Sequence, residues 1–377
     1  MDGNNTPSIK SPAAPADAPL LNLGLNDGTF MPASCAAILQ AAAHQTGLRN
    51  YSSPDNRLMR AAIAKADGVR PEHVFVHNGS GPILKQVIPS VIRQKIMSSP
   101  LRILSHLLFK NGCPLITPTL TYEKAPAKAV ALGLKVEMIE SRPEDGFRLD
   151  RDELRRRLRK RPGFVYVVNP NNPTGHLQLQ PEEVGALLKE FPDSLFWLDE
   201  AYIHYAGMEH SVSRLVPDHP NLLVSRTFSF AWGLAAVRIG YLLGAPEEVE
   251  RQSATLTDYR VGALQEALAV AALTDPDHLP FIQRATAEAR AQLTAGLAGL
   301  PGVEVFPSVT NFLLCRLTAG SRLQTGAELV SRLAARGVRI KSFAPFGPYR
   351  HDAYFRITTG LPDEQARLIA EIRAILA

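Results

Sequence analysis

Between about residues 70 and 245, short apolar runs alternate with longer segments in which apolar residues recur at helical spacing. Short runs rich in β-branched and aromatic residues are typical of buried strands, and the longer segments are typical of covering helices. The runs that predict strands are His73–His77, Pro114–Thr117, Lys135–Ile139, Phe164–Val168, Leu195–Asp199, Leu222–Ser225 and Ile239–Gly244. This alternation predicts an α/β fold with a mainly parallel, seven-stranded type of sheet between helices.

The pattern changes after about Asp275. A long amphipathic segment is followed by short strands, a helix, further strands and a final helix, which predicts a smaller α+β domain. These elements are Asp277–Leu300, Val303–Val305, Phe312–Arg316, Ala327–Arg336, Val338–Lys341, Tyr354–Thr358 and a helix from Pro362. We assign residues 20–44 and 276–377 to this domain and residues 45–275 to the large one. Residues 1–19 are rich in Pro and Ala, which favours a flexible arm.

The composition is that of a globular protein with a sizeable core, since 45% of the residues are hydrophobic and 20% charged. The net charge of +5 has one local source, the run from Asp150 to Arg161. We interpret this run as a solvated helix with Asp150 as its N-cap and Leu154 and Leu158 facing inward. We therefore expect no nucleic-acid partner.

Compartment and metal content follow from what the sequence lacks. It has no apolar stretch of membrane-spanning length and no secretory signal, and its three cysteines form no metal-binding or disulfide pattern. We expect a cytoplasmic protein with no membrane association and no metal site.

Unusual residues follow several predicted strands. Asn169–Gly175 reads Asn-Pro-Asn-Asn-Pro-Thr-Gly, Asp199–Tyr202 reads Asp-Glu-Ala-Tyr, and Ser225–Tyr241 carries hydroxyls, a glycine and Arg238. The first segment alone is also explained by a tight loop. Ligands of parallel sheets bind at the carboxyl ends of the strands, and hydroxyls with an arginine suit a phosphate.

These segments, in this order and spacing, resemble the fold-type I aminotransferases that use pyridoxal phosphate, most closely the histidinol-phosphate aminotransferase-like group. The resemblance runs from about residue 20 to the end. Further matching segments are Tyr51–Arg57, His77–Ser80, Pro307–Phe312 and Tyr354–Gly360.

The resemblance implies a role for each matching residue of the cofactor site. Asp199 would pair with the pyridine nitrogen and keep it protonated. Asn172 and Tyr202 would hydrogen-bond the 3-oxygen of the ring. The phosphate would be held by Gly79, Ser80, Ser229 and Arg238, with Thr227 beside them.

The resemblance also implies a partner and a substrate class. Tyr51 would reach the phosphate of the other subunit, so a homodimer is expected. Arg356 would clamp the α-carboxylate of a small-molecule substrate, with Asn311 near the same group. The aromatic residue that stacks on the cofactor ring in the family is here Leu120, and Tyr122 lies two positions further on.

One departure concerns the chemistry itself. In the family the residue after the serine that matches Ser229 is a lysine, which forms an imine with the cofactor and moves the substrate's proton. Here that residue is Phe230, which can do neither. Lys85, Lys124 and Lys341 lie in segments that approach the pocket in the family. Each is a candidate substitute, although solvated lysines are common.

Other departures put the substrate in doubt. Gly81-Pro82 replaces an acidic pair, and Asn26-Asp27-Gly28 stands where Asn-Glu-Asn-Pro is common. The segment between Ser80 and Pro118 is longer than usual, which predicts an extra helix near Leu101–Lys110. His176 and His204, near the motifs, are interpreted as structural.

Three hypotheses stay open. The first is an enzyme that holds pyridoxal or pyridoxamine phosphate non-covalently and acts on an amine or amino acid carrying a carboxylate, by decarboxylation or another reaction of the substrate–cofactor imine. The second is a non-catalytic ligand-binding or partner subunit in which Phe230 fills the lysine's volume, with Phe228 and Trp232 beside it. The third is a pocket repurposed for another ligand. Retention of Asp199 and the phosphate-site residues favours the first, and nothing selects the substrate.

Overall fold

The structure is a computed structural model that describes residues 20–44, 49–109, 112–254, 261–343 and 352–377. Contacts divide the chain into two compact units. The larger unit comprises the described residues of Asp27–Glu288 and Pro307–Asn311, and the smaller unit comprises the described residues before Asp27 together with those of Ala289–Phe306 and Phe312–Ala377. The predicted arm, residues 1–19, lies outside the described residues.

The larger unit contains a seven-stranded sheet among its described residues, in the order β2-β8-β7-β6-β5-β3-β4. The strands are β2 (Val74–His77), β3 (Leu115–Pro118), β4 (Val136–Ile139), β5 (Phe164–Val168), β6 (Leu195–Asp199), β7 (Leu222–Thr227) and β8 (Gly240–Leu243). Only β8 runs against the other six, because it pairs antiparallel with both β2 and β7. The predicted mainly parallel sheet is confirmed, and the end residues of its strands differ from the predicted ones by at most two positions.

Helices cover both faces of this sheet. They are α1 (Ala33–His44), α2 (Arg57–Asp67), α3 (Ser80–Met97), α4 (Pro100–Phe109), α5 (Lys124–Ala131), α6 (Arg151–Lys160), α7 (Pro181–Glu190), α8 (Ile203–Ala206), α9 (Pro246–Ala254), α10 (Ala263–Thr274) and the start of α11 (His278–Ala298). Alternate residues of each strand belong to opposite cores: Val165, Val167 and Leu198 lie in one, and Phe164, Tyr166 and Trp197 in the other.

Two local predictions from the sequence have clear structural counterparts. The arginine-rich helix α6 begins at Asp150, whose carboxylate accepts hydrogen bonds from the amides of Asp152 and Glu153. Leu154 and Leu158 are its buried residues. The extra helix expected near Leu101–Lys110 is α4, at Pro100–Phe109.

The described residues of the smaller unit form a four-stranded antiparallel sheet and a two-stranded parallel pair. The strands are β1 (Leu21–Asn22), β9 (Val303–Val305), β10 (Phe312–Leu317), β11 (Val338–Arg339), β12 (Lys341–Ser342) and β13 (Tyr354–Thr358), and the helices are the end of α11, α12 (Gly326–Ala334) and α13 (Pro362–Leu376). The run predicted as one strand, Val338–Lys341, is two short strands that pair with β1 and β13.

The unit boundaries differ from those expected at residues 45 and 275. Helix α1 belongs with the larger unit because Ser34 Oγ donates to the Ala271 carbonyl of α10 at 3.0 Å and Cys35 is fully buried there. The start of α11 belongs there too, since His278 stacks on Trp232 with ring centroids 5.5 Å apart.

Two absences hold for the residues that the structure describes. None of their helices is long and apolar enough to cross a membrane. No group of three or more His, Cys, Asp or Glu side chains among them is arranged to hold a metal ion.

The start of α3 packs tightly against β8. Gly79, which precedes the helix, has a φ of 98°, a conformation that favours glycine. A Cβ built on Gly240 would lie 2.6 Å from the Gly79 carbonyl carbon. The absence of a side chain at Gly240 therefore sets where the first turn of α3 begins.

We predict that Gly240→Ala lowers the free energy of unfolding by about 1–3 kcal/mol, because backbone must move to admit the methyl group. Urea unfolding measures the change. The matched control is Gly81→Ala in the first turn of α3, where a Cβ would meet nothing within 4 Å. Equal stability of the Gly240 variant and the wild type would show that the contact is loose.

Candidate functional site

Asp199 is the last residue of β6 and lies opposite Val168 of β5. Tyr166, two residues earlier on β5, therefore points to the same sheet face as Val168. Its hydroxyl donates a hydrogen bond of 2.7 Å to Asp199 Oδ2. Strand register alone thus brings a buried phenol and a buried carboxylate together.

Asp199 is 4% exposed, and burial raises the pKa of its carboxyl. The pKa is held down in part by the Tyr166 hydroxyl, and by the Ser225 hydroxyl and Ala201 amide nearby. Among the described residues, no donor meets hydrogen-bond geometry with Oδ1. This oxygen is a buried acceptor with capacity for an N–H group.

A second polar cluster lies on the other sheet face, one residue further along each strand. Arg226 of β7 is fully buried, and its Nε and Nη2 donate to Glu200 Oε2 at 3.0 and 2.8 Å. Its Nη1 pairs with Asp67 at the end of α2, and Nη2 donates to Ser211 Oγ. One guanidinium thus ties the ends of β6 and β7 to α2.

This cluster contains two carboxylates and one cation, and all three side chains are buried. Burial raises the pKa values of Asp67 and Glu200, and Arg226 opposes both shifts. Burial disfavours the Arg226 cation, but Asp67 and Glu200 raise its pKa well above the usual value. Glu200 in turn raises the pKa of Asp199. The surroundings of Asp199 therefore favour a cationic ligand group.

Tyr202, Asn172 and Phe230 form a compact group. Asn172 Nδ2 donates to the Tyr202 hydroxyl at 3.2 Å. The rings of Tyr202 and Phe230 are stacked, with centroids 4.5 Å apart and planes 12° from parallel. Tyr202 is buried and Phe230 half-buried, so Phe230 covers one face of the tyrosine ring.

Hydroxyl groups gather after β7. Thr227 Oγ1 donates to Ser229 Oγ at 2.9 Å and accepts from the Ser229 amide at 3.1 Å. Arg238, with a left-handed φ of 59°, places its guanidinium at the turn before α3: a Cβ on Gly79 would lie 2.7 Å from Nη2. The arginine and the N-terminus of α3 therefore lie side by side.

For other predicted site residues the structure describes different surroundings, although Tyr122 also raises the pKa of Tyr166. Tyr51 is 80% exposed on a loop whose Ser53 bonds the buried Glu266 through both amide and hydroxyl. Tyr122 has the Lys124 ammonium 5.5 Å from its ring centroid. The candidate lysines Lys85, Lys124 and Lys341 all have exposed side chains.

Arg356 and Asn311 are both buried, and they belong to different units of the chain. Arg356 belongs to the smaller unit, where Nη2 donates to the Gly24 carbonyl at 2.6 Å and the guanidinium lies 5.3 Å from the Phe312 ring centroid. Asn311 is 3% exposed and belongs to the larger unit.

The aromatic residues around Phe230 pack differently from the expected arrangement. The ring centroids of Phe228 and Trp232 lie 5.9 Å apart, and the Phe228 ring also packs against Tyr241. Trp232 lies edge-on to His204, while the ring partner of Phe230 is Tyr202. His204 is fully enclosed, and burial lowers its pKa well below the usual value.

Sequence analysis missed Tyr166 and the Arg226 cluster. A signal existed for Tyr166, because a phenol inside an otherwise apolar strand needs a hydrogen-bond partner. Arg226 gave a similar signal, since a charged residue within a buried strand must be paired. Nothing in the sequence identified Asp67 as one of its partners.

Comparison with known proteins identifies the family. The profile of aminotransferase class I and II matches residues 18–372. Histidinol-phosphate aminotransferase 1 of Bradyrhizobium diazoefficiens is 34% identical over 376 residues, covering 97% of each chain.

Solved structures show the same fold. Histidinol-phosphate aminotransferase from Sinorhizobium meliloti, in complex with pyridoxal-5'-phosphate, has a TM-score of 0.77 and 26% identity, covering 95% of this chain and 90% of that one. L-threonine-O-3-phosphate decarboxylase from Porphyromonas gingivalis has a TM-score of 0.75 and 25% identity, covering 95% and 99%.

The chain therefore belongs to the aminotransferase class I and II family and has the fold-type I architecture. It is homologous to pyridoxal-phosphate-dependent enzymes and is histidinol-phosphate aminotransferase-like. The predicted resemblance and fold class are confirmed at this level.

The residues present fit the cofactor typical of this family. Asp199 Oδ1 is a buried acceptor that meets no hydrogen-bond donor among the described residues, as a site for a protonated ring nitrogen requires. The first turn of α3 contains no acidic residue, and Arg238 lies against the turn before it, as a phosphate requires. The Ser229 hydroxyl, which accepts a hydrogen bond from Thr227 Oγ1, supplies a further donor.

We predict that Arg226→Leu lowers the free energy of unfolding by about 3–5 kcal/mol, because Asp67 and Glu200 lose their buried countercharge. Chemical unfolding measures the loss. The control is Arg332→Leu, which breaks the exposed pair with Glu328 and is expected to change stability by less than about 1 kcal/mol.

The decrease in the free energy of unfolding of Arg226→Leu should depend on pH. Without the guanidinium, the pKa values of Asp67 and Glu200 in the folded protein rise further above their values in the unfolded chain. A carboxyl group with a raised pKa in the folded state lowers the free energy of unfolding as the pH increases through that pKa. The deficit is therefore expected to be larger at about pH 8 than at about pH 5. A deficit that does not change with pH would contradict the ionised state of the cluster.

Proposed function

We propose that this chain binds pyridoxal or pyridoxamine phosphate non-covalently and acts on an amine or amino acid that carries a carboxylate. Phe230 stands where the family has its lysine, so transamination that depends on that lysine is lost. The main support for this proposal is that Phe230 stacks on Tyr202. The residues that the family resemblance assigns to the cofactor site are present in the same chain: Asp199, Asn172, Thr227, Ser229 and Arg238. A phenylalanine at this point fills space but offers no amine.

Different residues of the chain would bind different parts of the cofactor. Asp199 Oδ1 would accept a hydrogen bond from the protonated ring nitrogen, and Asn172 and Tyr202 would bond the ring oxygen. The amides at the start of α3, Ser229 and Arg238 would hold the phosphate, with Thr227 orienting the Ser229 hydroxyl at 2.9 Å. When bound, the cofactor supplies an electron sink for negative charge that develops on the substrate carbon.

The reaction class that suits these residues requires no base at the substrate carbon. Decarboxylation is such a reaction, since carbon dioxide leaves in place of a proton and one proton must then be supplied. The Tyr202 hydroxyl, oriented by Asn172 at 3.2 Å, is our candidate donor of that proton. The similarity to L-threonine-O-3-phosphate decarboxylase supports this class.

Substrate and partner assignments belong to the same proposal. Arg356 binds the substrate carboxylate through its planar guanidinium, and Asn311 and Tyr122 belong to the substrate-binding set. We also propose a homodimer in which Tyr51 completes the partner's phosphate site. Support comes from the 80% exposure of Tyr51 on a loop held by Glu266.

We predict that Asp199→Ala weakens the binding of pyridoxal phosphate about ten- to a hundredfold, because a charge-assisted hydrogen bond is lost. Equilibrium dialysis measures the affinity. Asp152→Ala, whose side chain is 99% exposed, is the control and should bind like the wild type. If both variants bind equally well, Asp199 does not contact the ligand.

We predict that Phe230→Lys forms a covalent imine with pyridoxal phosphate, since the rest of the site is retained. The readout is absorbance, with borohydride trapping and peptide mass to locate the adduct. Ala236→Lys, an exposed position in the same turn, is the control and should give no adduct. A folded Phe230 variant that binds the cofactor's phosphate yet traps nothing would show that the site has been rebuilt for another ligand.

A further inference from the structure

The hydroxyl of Tyr166 has a fixed environment. Tyr166 is fully buried, and its ring meets Trp197 edge-on, with centroids 6.2 Å apart and planes at 69°. Trp197 is held in turn by its Nε1, which donates to Ser225 Oγ at 2.8 Å. The ring of Tyr166 thus has little freedom, and its hydroxyl donates to Asp199 Oδ2 at 2.7 Å.

We propose that Tyr166 is a positioning residue: its hydroxyl holds Asp199 Oδ2, favours the ionised carboxylate and leaves Oδ1 to accept a hydrogen bond from a cationic ring nitrogen. The ligand part of this inference rests on the proposed function, while the effect on Asp199 concerns the protein alone.

The hydrogen bond runs in one direction. Burial and the neighbouring Asp199 raise the pKa of Tyr166 well above its usual value, so the phenol keeps its proton and stays a donor. A donor fixed on Oδ2 orients the plane of the carboxyl group. The other oxygen, Oδ1, meets no hydrogen-bond donor among the described residues.

The remaining groups near this pair do not replace the phenol. Glu200, the residue directly after β6, raises the pKa of Asp199, and its own charge is balanced by Arg226 of β7. Ser225 of β7 and the Ala201 amide favour the carboxylate. Tyr122 and Tyr202 act on Tyr166 by raising its pKa. Of the groups that hold down the pKa of Asp199, the Tyr166 hydroxyl has the largest effect, ahead of Ser225 and the Ala201 amide.

Removal of the hydroxyl should therefore favour the neutral acid. In Tyr166→Phe, Asp199 loses a donor that favours its charged form, and its pKa rises further. A hydrogen bond to a charged group corresponds to an increase of about one pH unit or more. A neutral carboxyl group cannot balance a cationic ring. As the pH is lowered, ligand binding should therefore be lost at a higher pH in Tyr166→Phe than in the wild type.

The direct test is a titration of the protein without ligand. Protein labelled with 13C in the aspartate carboxyl groups is followed by NMR against pH, with Asp199→Asn to assign the signal. We expect the Asp199 pKa to be about one unit or more higher in Tyr166→Phe. Tyr205→Phe removes the hydroxyl of another buried tyrosine and should leave the Asp199 signal unchanged. An unaltered Asp199 pKa in Tyr166→Phe overturns the inference.

The second arm measures binding of pyridoxal phosphate against pH. The acid limit of binding should move up by about one pH unit or more in Tyr166→Phe, with affinity for inorganic phosphate unchanged. Equal loss of affinity for inorganic phosphate would indicate general damage and contradict a role specific to Asp199. If the wild type binds no pyridoxal phosphate, the proposed function fails, and the carboxyl titration still decides the role of Tyr166.

Discussion

The site depends on the compensation of buried charge by Arg226. Its guanidinium bonds Glu200 at 2.8 Å and pairs with Asp67, so it fixes the end of β6 to the end of β7 and both to α2. Asp199 directly precedes Glu200, and Thr227 directly follows Arg226. The residues of the proposed cofactor site are therefore adjacent in sequence to a cluster that cannot relax without leaving a charge unpaired.

The two-residue repeat of β-strands divides the polar groups between the sheet faces. Glu200 and Arg226 face one core, while Trp197, Ser225 and Tyr166 face the other with Asp199. The Arg226 cluster on one face thus ties the strand ends together, and Asp199 on the other face is the acceptor of the proposed cofactor site. Phe230 changes neither arrangement, since it lies beyond β7 and stacks on Tyr202. The proposed absence of a lysine amine at this position is therefore compatible with the arrangement of the proposed binding residues.

Much of this fold was accessible from the sequence because strand-like runs and turn motifs are local signals. Phe164–Val168 and Leu195–Asp199 were predicted with the bounds that the structure has. The placement of α1 was not, because its burial against α10 depends on contacts such as Ser34 with Ala271, far apart in sequence. The same reason hid Asp67, which lies 159 positions from Arg226. Motifs identified Asp199, but only strand register revealed Tyr166.

The most direct test of the account is an equilibrium titration of the wild-type protein with pyridoxal phosphate and with pyridoxamine phosphate. Absorbance follows binding, and borohydride reduction with intact and peptide mass locates any covalent link. The account predicts saturable, reversible binding and no lysine adduct. Failure to bind either form, or a trapped adduct on Lys85, Lys124 or Lys341, would contradict it.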